Sequence, residues 1–328
     1  MIAYISALLL SLSTLSAVDF NPPAPDFVEI GDWFNSEPLS LEKLRGKVVL
    51  VDFWTYSCIN CIRELPHLNQ LYAEYKDKGL VIVGVHSPEF TFEHDTKNIQ
   101  KAIQRFGIHF PVAVDTKYGT WKAYNNHFWP ASYLIDQKGN IRLRTTGEGH
   151  YEELESEIRK LLGLAPKSLI TKELPDATGS LTPETYLGFH RAEGYTKEMA
   201  LKPQVIEAYS YSERLADDQV GLKGRWLVEK ECIEAKNAAC QIDLNFQAGR
   251  VYLVLSGSSS KPITVTLDGK PLEKKYYTQD MNDHGEIYVH EARKYDLVDL
   301  HGSVERHLLS VHIPEGICAY AFTFGRTL

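Results

Sequence analysis

The run Val48-Val49-Leu50-Val51-Asp52-Phe53-Trp54 is apolar at every position but one, so neither of its faces can be left to solvent. A second such run, Leu80-Val81-Ile82-Val83-Gly84-Val85, follows it. Between them Ile62, Leu65, Leu68, Leu71 and Tyr72 recur at helical spacing up to Gly79. Two fully buried strands joined by a helix predict parallel pairing in a sheet covered on both sides. A helical pattern over 96–106 and a short strand over 111–114 come next. Strands over 132–136 and 141–144 flank Gln137-Lys138-Gly139-Asn140, which predicts a hairpin. A charged helix over 151–162 closes this half, which is therefore expected to be an α/β domain with a mixed sheet.

The second half reads differently. Residues 165–183, with Ala165-Pro166-Lys167-Ser168 and Pro175-Asp176-Ala177-Thr178-Gly179-Ser180, have linker composition. Beyond them helical periodicity fades into short β-type runs at 240–246, 251–255, 263–267, 287–290, 308–313 and 320–324. Turn signals such as Asp268-Gly269 and His284-Gly285 punctuate them, and an all-β sandwich over 184–328 is expected. A chain of 328 residues is long enough for two such cores. Its 35 basic and 43 acidic side chains give −8, without a long basic run, so no nucleic-acid partner is expected.

Residues 2–18 carry no charge, contain Ala7-Leu8-Leu9-Leu10 and end in Ser16-Ala17 before Asp19. That is the pattern of a cleaved secretory signal over 1–18, short for a membrane span, although no Lys or Arg precedes the apolar run. The first domain then covers 19–164. The expected location is extracytoplasmic, periplasmic or secreted, where disulfides persist.

Cys58-Ile59-Asn60-Cys61 falls at the junction of the first strand and its helix. A cysteine at a helix start sits near unpaired N–H groups and the positive end of the helix dipole, which favours thiolate and nucleophilic attack. A second cysteine one turn on can close a disulfide after a mixed-disulfide step. Zinc would need two further ligands, and no second C-x-x-C or H-x-x-H occurs, so no metal and no bound cofactor are expected. A purely structural staple gains little from so short a loop. Dithiol–disulfide exchange with protein cysteines is the expected chemistry.

These residues resemble a known family. Val51-Asp52-Phe53-Trp54 followed by Cys58-x-x-Cys61 and Pro66 resembles the thioredoxin active-site strand and helix. Cys61-Ile62-Arg63-Glu64-Leu65-Pro66 is similar to the C-x-x-E-x-P pattern of TlpA-like extracytoplasmic thioredoxins. Trp129-Pro130-Ala131-Ser132-Tyr133-Leu134-Ile135-Asp136 resembles their strand that opens on a cis-proline. The run Phe53 through Cys61, together with Thr182-Pro183-Glu184-Thr185-Tyr186-Leu187-Gly188, is similar to DipZ-type proteins. So are Ile263-Thr264-Val265-Thr266-Leu267-Asp268-Gly269 and the closing strand from Ala319 to Gly325.

The resemblance implies Cys58 as nucleophile, Cys61 as resolving thiol and Pro130 as the cis-proline beside them. It places Asp52 and Glu64 at the positions of buried acids that relay protons; the alternative for Glu64 is a solvated helix residue or a partner of Arg63, and for Asp52 a hydrogen-bonded structural acid. Trp129, Trp54 and Tyr56 with Pro130 are expected to form the rim where a substrate chain docks. The second domain is expected to resemble a carbohydrate-binding module, with carbohydrate as its candidate ligand. DipZ-type proteins place a membrane electron-transfer domain ahead of this part, and here a signal-like segment precedes it, so a membrane electron donor is expected to act in trans.

Two features depart from the pattern. Ser57 stands where thioredoxins have tryptophan, and Ile59-Asn60 replaces the usual proline-containing pair, which leaves the direction of electron flow open. The rival enzyme is a thiol peroxidase: Thr55-x-x-Cys58 fits half of the peroxiredoxin motif, but Val51 stands where its proline belongs. The rival class is a glycan- or partner-binding module carrying a passenger thioredoxin fold. Of the other cysteines, Cys232 and Cys240 are candidates for a structural disulfide across paired strands, and Cys318 for a buried inert thiol.

Overall fold

The structure is a computed structural model that describes residues 21–167 and 180–326. The signal-like segment 1–18 and the centre of the linker lie outside the described residues. The first domain contains β1 (Trp33–Phe34), β2 (Val48–Trp54), α1 (Ile59–Tyr75), β3 (Leu80–His86), α2 (Thr96–Arg105) and β4 (Val112–Val114). It continues with α3 (Gly119–Ala123), β5 (Ala131–Ile135), β6 (Ile141–Thr146) and α4 (Tyr151–Leu161). Its sheet runs β1-β4-β3-β2-β5-β6. β2, β3 and β4 are parallel, and β5 and β6 form the antiparallel hairpin. This is the thioredoxin-like mixed sheet.

Strand parity on β2 decides what faces what. Val48, Leu50 and Trp54 pack with Leu65, Leu68 and Leu71 of α1, while Val49, Val51 and Phe53 pack on the opposite side with Tyr124 and Tyr133. Asp52, in step with Leu50 and Trp54, is thereby placed under α1 and is 1% exposed.

The second domain is all-β. β7 (Thr185–Tyr186), β8 (Ile206–Tyr209), β9 (Val220–Val228), β10 (Ile233–Ala235), β11 (Cys240–Ala248) and β12 (Arg250–Ser256) come first. β13 (Ile263–Leu267), β14 (Lys270–Pro271), β15 (Glu286–Ile287), β16 (Arg293–Asp299), β17 (Glu305–Ile313) and β18 (Cys318–Gly325) complete it. Hydrogen bonds link β14-β13-β17-β11-β9-β10-β18-β12-β16 in one path. Both halves of that path contribute to one core, with Ile242, Phe246 and Val311 from one and Leu253, Leu255 and Phe322 from the other.

β9 joins the halves. Its first residues pair with β11 (Leu244↔Val220 to Gln241↔Lys223) and its last with β10 (Ala235↔Trp226 to Ile233↔Val228). Gly224 is the crossing point: its φ is +97°, and a Cβ there would lie 2.7 Å from the Ala239 carbonyl oxygen.

The two domains meet at the turn before α2. Phe90 and Phe92 press edge-on against Tyr320, with ring centroids 5.1 and 4.9 Å away. Thr91 donates through both its backbone N–H and its hydroxyl to Glu231, each at 2.8 Å. Arg191 pairs with Glu89 at 2.8 Å and lies over the Tyr186 ring, 3.7 Å from its centroid.

Candidate active site

Cys58 is the N-cap of α1, in extended backbone conformation, and its sulfur accepts from the Cys61 N–H at 3.4 Å. It is partly exposed, whereas Cys61, one turn on, is 2% exposed. Burial first, and then the neighbouring Cys58, push the Cys61 thiol well above its ordinary range. The Trp129–Pro130 bond is cis, and the Trp129 carbonyl accepts from the Cys58 thiol at 3.8 Å.

Two carboxyls lie beneath the pair. Asp52 is held by the Ser132 hydroxyl at 2.7 Å from the adjacent β5, and burial pushes it up to about 7. Glu64 is 2% exposed and is pushed up to about 9 by burial, then by the charges of Asp52 and Glu148. Asp52 is near enough to Cys61 that its negative charge raises that thiol too. The pairing of Glu64 with Arg63 does not form. Arg63 instead bonds Glu148 at 2.9 Å and Asn60 at 2.6 Å, because α1 turns positions 63 and 64 to different sides.

A third buried acid had no signal in the sequence. Glu93 accepts from the Ser57 N–H (3.2 Å), the Ser57 hydroxyl (2.7 Å), the Glu89 N–H (2.6 Å) and the Phe90 N–H (3.1 Å). It ties the residue before Cys58 to the turn that meets the second domain, which gives Ser57 a physical role at its divergent position. Burial pushes Glu93 up to about 7 against those hydrogen bonds. Beside it His86, stacked on Tyr56 at 5.6 Å, is pushed down to about 3 by burial.

The rim differs from expectation. Trp54 is fully buried and Tyr56 is 2% exposed; both belong to the core under α1, because β2 continues under the helix up to Trp54. Pro130 is buried as well. Trp129 does reach the cleft, anchored by its indole N–H to the Ser87 carbonyl at 3.0 Å and packed at a tilt against Trp121, with ring centroids 4.3 Å apart. Next to it Phe128 is 52% exposed, a residue that sequence reasoning passed over. The cleft above Cys58, about 490 Å³, has its opposite wall built by the second domain, from Leu181, Tyr186, Arg191 and Phe324.

The remaining cysteines correct a second expectation. Cys232 and Cys240 are not brought together: Cys240 donates to the Arg225 carbonyl at 2.9 Å and the Asn237 side chain at 3.1 Å. Cys232 instead shares a small cluster with Cys318 and Tyr320, since β10 runs beside β18. Of the second-domain aromatics available for a sugar platform, Trp226 and Tyr295 are core, and Tyr288 is exposed.

Two family profiles match the chain. The AhpC/TSA family covers residues 20–144, and the thioredoxin like C-terminal domain covers residues 182–325. Protein DipZ of Mycobacterium tuberculosis is 40% identical over 313 residues, 92% of this chain and 43% of that protein. The chain therefore spans less than half the length of that relative. Thiol-disulfide oxidoreductase ResA of Geobacillus kaustophilus is 34% identical over 146 residues, 44% of this chain and 80% of ResA. Among solved structures, a thiol-disulfide isomerase from Corynebacterium glutamicum is 29% identical with a TM-score of 0.39, covering 43% of this chain and 98% of that one.

Proposed function

The chain belongs to the TlpA-like thioredoxin family of thiol–disulfide oxidoreductases, and from that membership we propose that it exchanges a Cys58–Cys61 dithiol with disulfides of extracytoplasmic proteins. The observation that carries the reading is the asymmetry of the two thiols: one caps α1 at the cleft, the other is buried against an acid. In the reducing direction Cys58 thiolate attacks a substrate disulfide, forming a mixed disulfide and releasing the first substrate thiolate. Cys61 then gives its proton to Asp52 and attacks the Cys58 sulfur, so the second substrate thiolate leaves and the Cys58–Cys61 disulfide closes. Two electrons pass to the substrate. Glu64, close to Asp52 in charge, is the next stop for that proton. The oxidising direction is the same path reversed.

Substrate chain lies in the cleft between Trp129 with Phe128 on one side and Leu181, Tyr186 and Phe324 on the other. The second domain thus serves as a wall of the catalytic cleft. Residues 1–18 act as a cleaved signal, 19–164 and 184–328 as the two domains, 165–183 as their linker, and electrons come from a membrane protein in trans.

The decisive experiment is the reduction potential of the Cys58–Cys61 pair in glutathione and dithiothreitol buffers, with Cys58→Ser as control. A value near ~−270 mV makes the protein a reductant fed from the membrane, and one near ~−120 mV makes it a disulfide donor. No reversible two-electron couple overturns the assignment. Rapid oxidation of Cys58 by peroxide with turnover at a reducing thiol would replace it with a peroxidase.

A further inference from the structure

We propose that Cys232 and Cys318 form a second dithiol–disulfide couple, in the β-sandwich and outside the Cys58–Cys61 site. Strand register puts them on one face: β10 pairs Ile233↔Ala319 and Glu234↔Cys318, so Cys232, two residues before Glu234, comes diagonally across from Cys318. Both belong to the cluster of Phe90, Val254 and Tyr320, which is where the two domains touch. The third cysteine of this domain is excluded by its own partners, the Arg225 carbonyl and the Asn237 side chain.

The two thiols are unequal in the same sense as the first pair. Cys318 is partly exposed and Cys232 is buried. Each is the largest influence on the other's titration, which lowers Cys318 below the ordinary thiol range and raises Cys232 above it. Cys318 is therefore the entry thiol and Cys232 the resolving one.

With a small disulfide such as oxidised glutathione as oxidant, the Cys318 thiolate attacks one sulfur and displaces one glutathione thiolate. Cys232 then loses its proton and attacks the Cys318 sulfur, displacing the second glutathione. Two thiols are oxidised, and one disulfide is reduced to two thiols. The product ties the β9–β10 turn to β18 directly beneath the contact of Phe90 and Phe92 with Tyr320.

Tryptic mapping of the full chain tests this without any mutation. Cys58 and Cys61 share peptide 48–63, whereas Cys232, Cys240 and Cys318 fall on 231–236, 237–250 and 307–326. After equilibration with oxidised glutathione and alkylation of free thiols, peptide 231–236 should be found linked to 307–326, two hydrogens lighter than the sum and released by dithiothreitol. In Cys232→Ser a glutathione adduct should accumulate on Cys318. Three alkylated thiols, a cross-link through 237–250, or a stable adduct on Cys318 in the native chain would each overturn the proposal. Because peptide 48–63 is read separately, failure here and failure of the first couple are distinguishable.

Discussion

Asp52 and Glu93 are both fully buried carboxyls pushed up to about 7, yet their surroundings assign them different work. Glu93 accepts from two backbone N–H groups of the turn at 89–90 and from both donors of Ser57, so its oxygens are committed to holding a loop. Asp52 accepts from the Ser132 hydroxyl and stands beside a thiol and a second carboxyl that are both themselves hard to ionise. A raised pKa alone therefore does not mark a proton carrier. What separates the two is whether fixed donors already hold the oxygens or a group that must lose a proton lies next to them.

The double variant Asp52→Asn with Glu64→Gln probes the contrast most strongly. Resolution of the Cys58 mixed disulfide should slow by roughly 10²-fold or more, measured as the lifetime of the trapped intermediate in rapid-quench experiments. Unchanged resolution would remove the proton-relay role. Asp52→Asn alone should abolish the rise in resolution rate with pH centred near 7, because the wild-type carboxylate must be ionised to accept the Cys61 proton. Glu93→Gln should leave that rise in place.

Stability offers the converse test. A carboxyl raised by folding stabilises the native state most when protonated. Its contribution is complete below the unfolded values of 3.8 and 4.5, and is lost as pH climbs through about 7 for Asp52 and about 9 for Glu64. Urea unfolding should therefore show the wild type weaker at pH 9 than at pH 5, and the double variant less dependent on pH across that window. Glu93→Gln places an amide NH2 group among N–H donors and should cost about 1–3 kcal/mol, read as a lower urea midpoint. A variant as stable as wild type would show that the four hydrogen bonds to Glu93 are dispensable.

The smallest effect is expected at the wall of the cleft. Arg191→Ala removes a partly exposed ion pair with Glu89 and the cover over Tyr186, an interaction of about 1 kcal/mol or less. It should raise KM for a disulfide-bearing peptide by no more than ~5-fold with kcat unchanged. A fall in kcat instead would place Arg191 in the exchange step rather than in docking.

The first domain was largely legible because its signals are local. Val48–Trp54 matches the observed strand to the residue, and the Cys58-x-x-Cys61 helix start lies where that strand ends; in the second domain only Ile263–Leu267 is matched as closely. β9 and β16 escaped notice. In the first, Val220, Leu222, Trp226 and Val228 do alternate, but Gly221 and Gly224 break the run; in the second, Arg293, Lys294, Asp296 and Asp299 leave only Tyr295, Leu297 and Val298 as an apolar signal. Their residues are paid for by partners remote in sequence: Gly221 leaves room for the Tyr211 ring, and Asp280 receives both Arg293 and the Asp296 N–H.

By itself the sequence determined the strand–Cys-x-x-Cys–helix unit, the cis-proline strand and the presence of a β-rich second domain. The first and last are written in contiguous residues whose spacing follows the backbone period, whereas the cis-proline strand was legible through the family resemblance of Trp129 to Asp136. Only the tertiary structure decided that Trp54 and Tyr56 are core, that Glu93 grips Ser57 from 36 residues away, and that Cys232 faces Cys318 rather than Cys240. Those outcomes depend on which strands become neighbours and how much water is excluded between them, quantities set by long-range packing that no local pattern encodes.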